Sequence, residues 1–485
     1  MPFRVAIIGA GVVGSAVARE LSKYEGFEVH VLEKEADVGW GASKANTGIL
    51  HAGYDDDPSK FPMRARLCRA GNELWRGLAD ELEVPVRWCG SLVLAFDENE
   101  RRVLAELLSR GRSNGVPGLR VVGTDLVQKL ESNASKEAVE ALWAPTSGII
   151  SPYEATVALI ENATENGAKL HLETLARRIV VKDRRVVGVE TDRGFLEADA
   201  VVNASGIFGD LLSGTAGISG FRIRPRRGEY FVFDRDAEPK VGMTLFPAPR
   251  PETKGVVVTQ TADGNLLVGP NAKDLGEKER ESTETTKGGL EEVWREASRL
   301  VVGLPPRSAA IRTFAGLRPE PDRGDFIIEA YEDPSGLVNC VGTRSPGLTS
   351  APAIAMEVAK LLAKGGFRFA IKGKWKSRRK AMTRFRDLPS SERDGLISKD
   401  PSYGRIVCTC ETVTEAEIKE AIRRGARTLD SIKFRTRAGM GRCQGSFCLA
   451  KMMVLLSRET GTRIEDVSVK GKGSNVVLGR VRDGT

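Results

Sequence analysis

The run Val5-Ala6-Ile7-Ile8-Gly9-Ala10-Gly11-Val12-Val13-Gly14 constrains this chain more than any other stretch. Apolar residues lead straight into three glycines at GxGxxG spacing. Residues 3–8 predict a buried parallel strand and 12–24 a helix opening on the glycine turn; 27–33 predict a second strand ending in Glu33. The first glycine permits a tight turn, the second lets backbone approach a pyrophosphate, and the third lets helix and strand pack closely. The helix N-terminus then faces phosphate charge, and the acid can hydrogen-bond a ribose hydroxyl. A glycine-rich turn without a ligand would lack the strand–helix–strand–acid context.

The chain has 485 residues, more than one comfortable core, so two or three domains are expected. The first apolar run is this glycine-punctuated unit, without a charged leader or cleavage site, so no signal peptide is expected. No apolar stretch reaches the length of a membrane span. Seven cysteines are too few for a disulfide scaffold, and four of them cluster late; a reducing cytoplasm and a metal site fit that pattern. Glutamine occurs only at 128, 260 and 444 while Arg, Lys and Glu are abundant, a balance that leans toward a thermophile. The net charge of +8 is concentrated: residues 366–405 carry twelve Lys/Arg against four Asp/Glu. Aromatic platforms are sparse there, which argues against nucleic acid as a partner. Such a one-signed segment is expected to dock on an acidic redox subunit or on an anionic membrane surface, with a solvated linker lying along the first domain as the alternative.

The organisation follows from periodicity and turn residues. The expected domains are 1–85, 145–220 and 313–365 for the cofactor, 86–144 and 221–312 for the substrate, a basic linker at 366–404, a small domain at 405–460 and a tail at 461–485. Helices are expected at 64–83, 97–113, 156–167 and 351–363, a strand pair within 86–96, and a hairpin around Asp183-Arg184-Arg185. Alternating strands from 221 to 312 predict an antiparallel sheet.

Downstream segments choose between NAD and FAD. Gly39-Trp-Gly41-Ala42-Ser43-Lys44-Ala45-Asn46-Thr47-Gly48-Ile-Leu-His51-Ala-Gly53 is small and polar, suited to wrapping a long extended cofactor. Ala204-Ser205-Gly206 closes a second strand, and Gly342-Thr-Arg344-Ser-Pro-Gly347-Leu348-Thr349 comes near the end of this part. Here the chain resembles the flavin-dependent amine and hydroxyacid oxidases of the D-amino acid oxidase-like superfamily, over roughly 1–365. Asn46–Gly53, Arg227-Gly-Glu-Tyr230, Ala315-Gly-Leu-Arg318-Pro and Arg344–Thr349 look like the branch holding L-2-hydroxyglutarate and glycerol-3-phosphate dehydrogenases. The resemblance implies an α/β Rossmann-like FAD domain with an antiparallel-sheet substrate domain. It implies FAD contacts from Gly9, Gly11, Val12, Val13, Gly14, Glu33, Lys34, Gly41, Ala42, Ser43, Asn46, Thr47, Gly48, Ala204, Ser205, Gly206, Gly342, Gly347, Leu348 and Thr349.

Cys408-x-Cys410 and Cys443-x4-Cys448 supply four thiolates. Thiolates select zinc or iron–sulfur clusters, and the spacings do not match the common paired C-x2-C zinc pattern. Thr414-Glu-Ala-Glu417 is a capping box, and a second helix is expected just after Gly445. The segment resembles the small helical [2Fe-2S] domain named after bacterioferritin-associated ferredoxin. Arg437–Cys448 looks like the tail of anaerobic glycerol-3-phosphate dehydrogenase large subunits. The resemblance implies a [2Fe-2S] cluster on the four cysteines; structural zinc and free thiols remain the alternatives. Cys68, Cys89 and Cys340 read as small buried hydrophobes.

Oxidising a secondary alcohol requires removal of the hydroxyl proton as hydride leaves carbon, and histidine is the usual base. His30 lies in a strand and His171 on a short edge. His51 lies in the loop expected at the flavin ring, as base, substrate ligand or flavin-orienting group. Arg318, Arg344 and Arg227 are candidates for an anionic substrate, with Tyr230 as a hydrogen-bond partner. The expected activity is FAD-dependent dehydrogenation of a small anionic hydroxy compound, sn-glycerol 3-phosphate before L-2-hydroxyacids or amines. Electrons would pass through [2Fe-2S] to a partner subunit or quinone. The rival from another class is a non-catalytic electron-transfer subunit.

Overall fold

The computed structural model describes residues 2–250, 254–364 and 370–479. Residues 366–369 of the expected linker and 480–485 of the expected tail lie outside the described residues. Contacts divide the chain into two compact units, Met1–Glu33 with Gly39–Arg379, and Lys34–Val38 with Lys380–Thr485.

The first unit contains two large sheets. One is the nucleotide sheet, in strand order Ala176–Lys182, Arg185–Thr191, Ser335–Val341, Ala200–Asn203, Phe3–Ile8, Phe27–Leu32 and Lys169–His171. Phe3–Ile8 runs parallel to both neighbours, and its last four residues are buried, as a strand covered on both faces requires. Helices Val12–Ser22, Pro152–Glu165, Gly347–Lys364 and Pro62–Leu82 pack together beside it. The expected hairpin at 183–185 is present as an antiparallel pair.

The second sheet has the order Lys273–Asp274, Ile223–Phe233, Leu266–Val268, Val258–Gln260, Thr244–Pro247, Ser91–Ala95, Glu140–Ala144 and Arg120–Gly123, with Ala310–Pro321 along Ile223–Phe233. It is mixed rather than purely antiparallel, because Thr244–Pro247 runs parallel to Ser91–Ala95. Two expectations are corrected here. Val86–Arg87 and Ser91–Ala95 do not pair with each other; the former joins Gly148–Ile150 and the latter Glu140–Ala144. The strand carrying Arg318 starts at Ala310 and belongs to this sheet, so the boundary expected at 313 cuts through a strand.

The basic segment is packed, not a free arm. Ile371 bridges Tyr24, and Arg19 stacks over Trp375. Lys376 pairs with Glu165 at 2.9 Å, and buried Arg379 pairs with Glu161 at 2.6 Å. Arg379 also donates to the Leu82 carbonyl. Further along, within the second unit, Arg386 pairs with Glu411. Intramolecular acids thus neutralise Lys376, Arg379 and Arg386, while Lys374, Arg378 and Lys380 are exposed.

In the second unit, helices Glu415–Arg423, Leu429–Thr436 and Leu449–Thr460 surround a small apolar core that includes Ile418, Ile432, Met452 and Leu456, and Ser390–Lys399 is a further helix outside it. The capping box at Thr414 and Glu417 is formed and starts Glu415–Arg423. The last helix starts at Leu449 with Cys448 as its N-cap, three residues later than expected. Leu429–Thr436, capped by Thr428, is an additional helix.

Candidate active site and cysteine centre

The glycine turn fits an anionic dinucleotide. Gly9 has φ +102°, and a Cβ there would lie 2.5 Å from the Ala204 carbonyl. A Cβ on Gly14 would lie 1.9 Å from the Gly9 carbonyl, so the helix can sit this close only without one. Helix Val12–Ser22 has no side-chain cap from Gly11 and no acid in its first turn. Its positive end is therefore uncompensated from its own residues, as phosphate requires. The Val12 N–H donates to Ser43 Oγ at 2.9 Å, and Val13 is buried behind it. Glu33 accepts the Ala10 N–H at 2.8 Å.

The flanking loops are braced by their own polar groups. Asn46 donates to the carbonyls of Ala42 and Ser43 and accepts from Gly48, which holds Thr47 in a half-buried turn. Ser205 Oγ donates to Asn203 at 2.6 Å. Gly41 and Gly206 face open space, with no atom within 4 Å of a built Cβ. Gly342 lies against Pro321, and Gly347 opens the long helix. The Leu348 carbonyl accepts from Trp75, and Thr349 Oγ1 accepts the His51 N–H at 3.0 Å. Lys34 follows Glu33 in the chain and pairs with Glu35 at 3.5 Å.

His51 is buried. Its Nε2 lies 3.1 Å from Ser345 Oγ, and its Nδ1 lies 3.6 Å from Asp55, which in turn pairs with Lys254 at 3.1 Å. Burial, helped by the Lys254 cation, lowers the imidazole to about 4, so it is neutral at physiological pH. A neutral imidazole held between a hydroxyl and a carboxylate is competent to accept a proton. His30 and His171 stack on each other at 5.2 Å, at the edge of the nucleotide sheet.

The three arginine candidates differ in what they already hold. Arg344 forms an ion pair with Glu320, and burial lowers it to about 10. Arg227 is buried beside Glu229 at 3.4 Å. Register explains why it does not join Arg318: Arg226 stands opposite Arg318 and Arg227 opposite Leu317, so Arg227 projects to the other face of the sheet. Arg318 donates to the Asn271 carbonyl at 2.8 Å and touches the Tyr230 hydroxyl, whose ring stacks on Phe314 at 4.5 Å. Among the described residues no carboxylate lies within ion-pair distance of Arg318, so its charge is available to an anion. Gly316, two residues earlier, abuts the flavin-side loop; a Cβ there would lie 1.9 Å from the Ala45 carbonyl. Asp55, Lys254 and Ser345 complete this constellation. The Asp55-Asp-Asp57 run after His51 was a usable sequence signal, whereas Lys254 is an isolated lysine with none.

In the second unit Cys410 and Cys443 bring their sulfurs to 3.6 Å. Two thiolates on one tetrahedral iron or zinc would lie about 3.8 Å apart, from a metal–sulfur distance near 2.3 Å. The Cys448 thiol donates to Cys408, and the N–H groups of Gly439 and Glu411 add to it; Cys408 is lowered to about 6. Cys443 is lowered against the opposing effect of burial by the N–H groups of Phe447 and Gly445. Gly441 passes Cys410 with room for no side chain. Among the described residues no three His, Cys, Asp or Glu side chains converge on a single-ion site. Two thiol pairs, each with amide donors, fit a two-iron cluster better than one zinc.

Residues 4–361 match the sequence profile of the FAD dependent oxidoreductase family. The chain belongs to the FAD-dependent oxidoreductases. Residues 406–458 of this oxidoreductase match the BFD-like [2Fe-2S] binding domain. It is 42% identical over 481 residues to a glycerol 3-phosphate dehydrogenase of Caloramator mitchellensis, covering 98% of each chain. It is 28% identical to a mitochondrial L-2-hydroxyglutarate dehydrogenase of Arabidopsis thaliana, covering 73% of this chain and 82% of that one. The dithionite-reduced L-alpha-glycerophosphate oxidase of Mycoplasma pneumoniae with FAD bound superposes with a TM-score of 0.71 at 30% identity, over 78% of this chain and 98% of that one. FAD and a [2Fe-2S] cluster are the cofactors of this oxidoreductase. Among the described residues no helix is long and apolar enough to cross a membrane.

Proposed function

We propose that this oxidoreductase converts sn-glycerol 3-phosphate to dihydroxyacetone phosphate and delivers the electrons through its cluster to an external acceptor. One observation carries the reading: neutral His51 stands beside Asp55 and Lys254 in a chain that aligns end to end, cysteine segment included, with a glycerol 3-phosphate dehydrogenase. His51 takes the proton of the secondary hydroxyl. Arg318 holds the phosphate, with Tyr230 fixing the guanidinium. FAD, when bound, supplies the hydride acceptor. Burial of the imidazole and of Asp55 keeps water from the transferring hydrogen.

A carboxylate could occupy Arg318 equally well, and the L-2-hydroxyglutarate dehydrogenase relative makes that the second reading. An anaerobic screen of flavin bleaching with glycerol 3-phosphate, L-2-hydroxyglutarate, lactate and proline decides between them. Fast bleaching by glycerol 3-phosphate alone is expected. Bleaching by 2-hydroxyglutarate alone would replace the substrate assignment, and bleaching by none would leave a non-catalytic electron-transfer role.

A further inference from the structure

The cysteine pairs differ in depth: Cys408 and Cys448 are buried, while Cys410 and Cys443 are half-exposed. Beside the outer pair, between two cysteines of the C-x4-C run, Phe447 is 79% exposed. It begins a stripe. Phe447 lies in the turn just before helix Leu449–Thr460, and Lys451, Val454 and Arg458 follow on that helix at spacings of three and four; all four are exposed. Val454 is 56% exposed. From 431 to 458 the sequence carries six Lys/Arg and no Asp/Glu. Lys433, Arg435, Arg437 and Arg458 are paired with Asp430, Asp37, Glu411 and Glu415, whereas Lys451 has no ion-pair partner among the described residues, so the stripe's uncompensated charge is that of Lys451.

An exposed phenylalanine costs solubility and gives the domain core nothing. An aromatic centre with a charged rim next to a redox group is the anatomy of a small, transient electron-transfer interface, typically under about 1,200 Å². We propose that the stripe Phe447–Lys451–Val454–Arg458 is the docking surface for an acidic one-electron carrier protein. This rests on the reading that electrons leave through the cluster. Oxidation of one alcohol releases two electrons and two protons; two carriers each take one electron, and the protons go to solvent. A second copy of this chain is disfavoured, because the stripe carries the unpaired cation of Lys451 and no acidic residue of its own to meet it. A lipid surface is disfavoured because two apolar side chains on the stripe are too few to anchor a helix in a membrane.

The test uses the full holoenzyme and defined probes. Flavodoxin is the acidic carrier, cytochrome c the basic one, and phosphatidylglycerol vesicles the lipid. Binding is measured by biolayer interferometry at low and moderate salt for wild type and for Phe447→Ser with Lys451→Glu. Iron content and visible circular dichroism verify that the variant keeps its cluster. Saturable, salt-sensitive flavodoxin binding that weakens at least tenfold in the variant, without comparable cytochrome c binding, is expected. No flavodoxin binding, equal binding of both carriers, or an unchanged variant overturns the proposal; so does vesicle capture that the variant loses. Binding needs no turnover, so its failure is separable from failure of the electron-exit reading. That reading fails if Cys443→Ser reduces the neutral acceptor menadione at the wild-type rate with substrate present.

Discussion

The two redox regions handle charge in opposite ways. Around His51 nearly every ionised group is matched: Arg64 with Asp56, Lys254 with Asp55, Arg344 with Glu320. Among the described residues, Arg318 stands out as a cation without a carboxylate. Around the cysteines a cation left without a carboxylate among the described residues, Lys451, lies on the surface, the outer sulfurs are half-exposed, and Phe447 projects into solvent. The contrast follows from the two chemistries. Hydride transfer needs a dry, electrostatically settled site with one opening for one anion. Single-electron exit needs close approach, so its group belongs at the surface with a field that attracts a partner.

The sharpest way to break this division is Cys443→Ser. Iron and acid-labile sulfide, expected at about two each per chain, should fall to near zero while anaerobic flavin bleaching by substrate survives. Coupled loss of both would show that the regions are not separable. His51→Ala should slow flavin bleaching about 10²- to 10⁴-fold, with little change in substrate affinity. Arg318→Ala should instead weaken substrate binding by roughly 2–5 kcal/mol, about 30- to 4,000-fold, and leave FAD content unchanged. A Michaelis constant within twofold of wild type would refute the anion role.

A smaller effect sharpens the electrostatics. Lys254 helps to lower His51, so Lys254→Met should move the acid limb of the bleaching rate upward from near pH 4, and Asp55→Asn should move it down. The sign for stability follows from the same shift. Folded His51 binds fewer protons than its unfolded form between about 4 and the ordinary value near 6.5, so stability declines as pH falls through that window. The smallest effect should come from Lys374, Arg378 and Lys380 changed together to Gln, less than twofold on electron delivery to any acceptor. Arg379→Gln, two bonds deep in a buried pair with Glu161, should by contrast lower the melting temperature.

What was legible in the sequence was short-range. The glycine turn, the acid at 33, the capping box and the cysteine spacings each encode their geometry within a few residues. Arg227 misled because it shares a strand with the site but not a face, and the parity is set by pairing with a strand some ninety residues later. Lys254 was invisible because only the folded sheet brings it to Asp55. The packing of the basic segment was not legible because its partners, Glu161 and Glu165, lie some two hundred residues upstream.

The position of Ser335–Val341 inside the nucleotide sheet, between Arg185–Thr191 and Ala200–Asn203, has a temporal meaning. On the ribosome, the strands before it emerge with a gap where it belongs. The sheet stays open until residue 341 has been made, and such long-range closure is slow. The cysteine segment is complete by Cys448, little more than a hundred residues later, and makes mostly local contacts. A chain interrupted between 210 and 330 would therefore expose an unfilled strand slot to its neighbours. Newly made protein should acquire its flavin grip late and almost together with its cluster site, leaving little time for one to exist without the other.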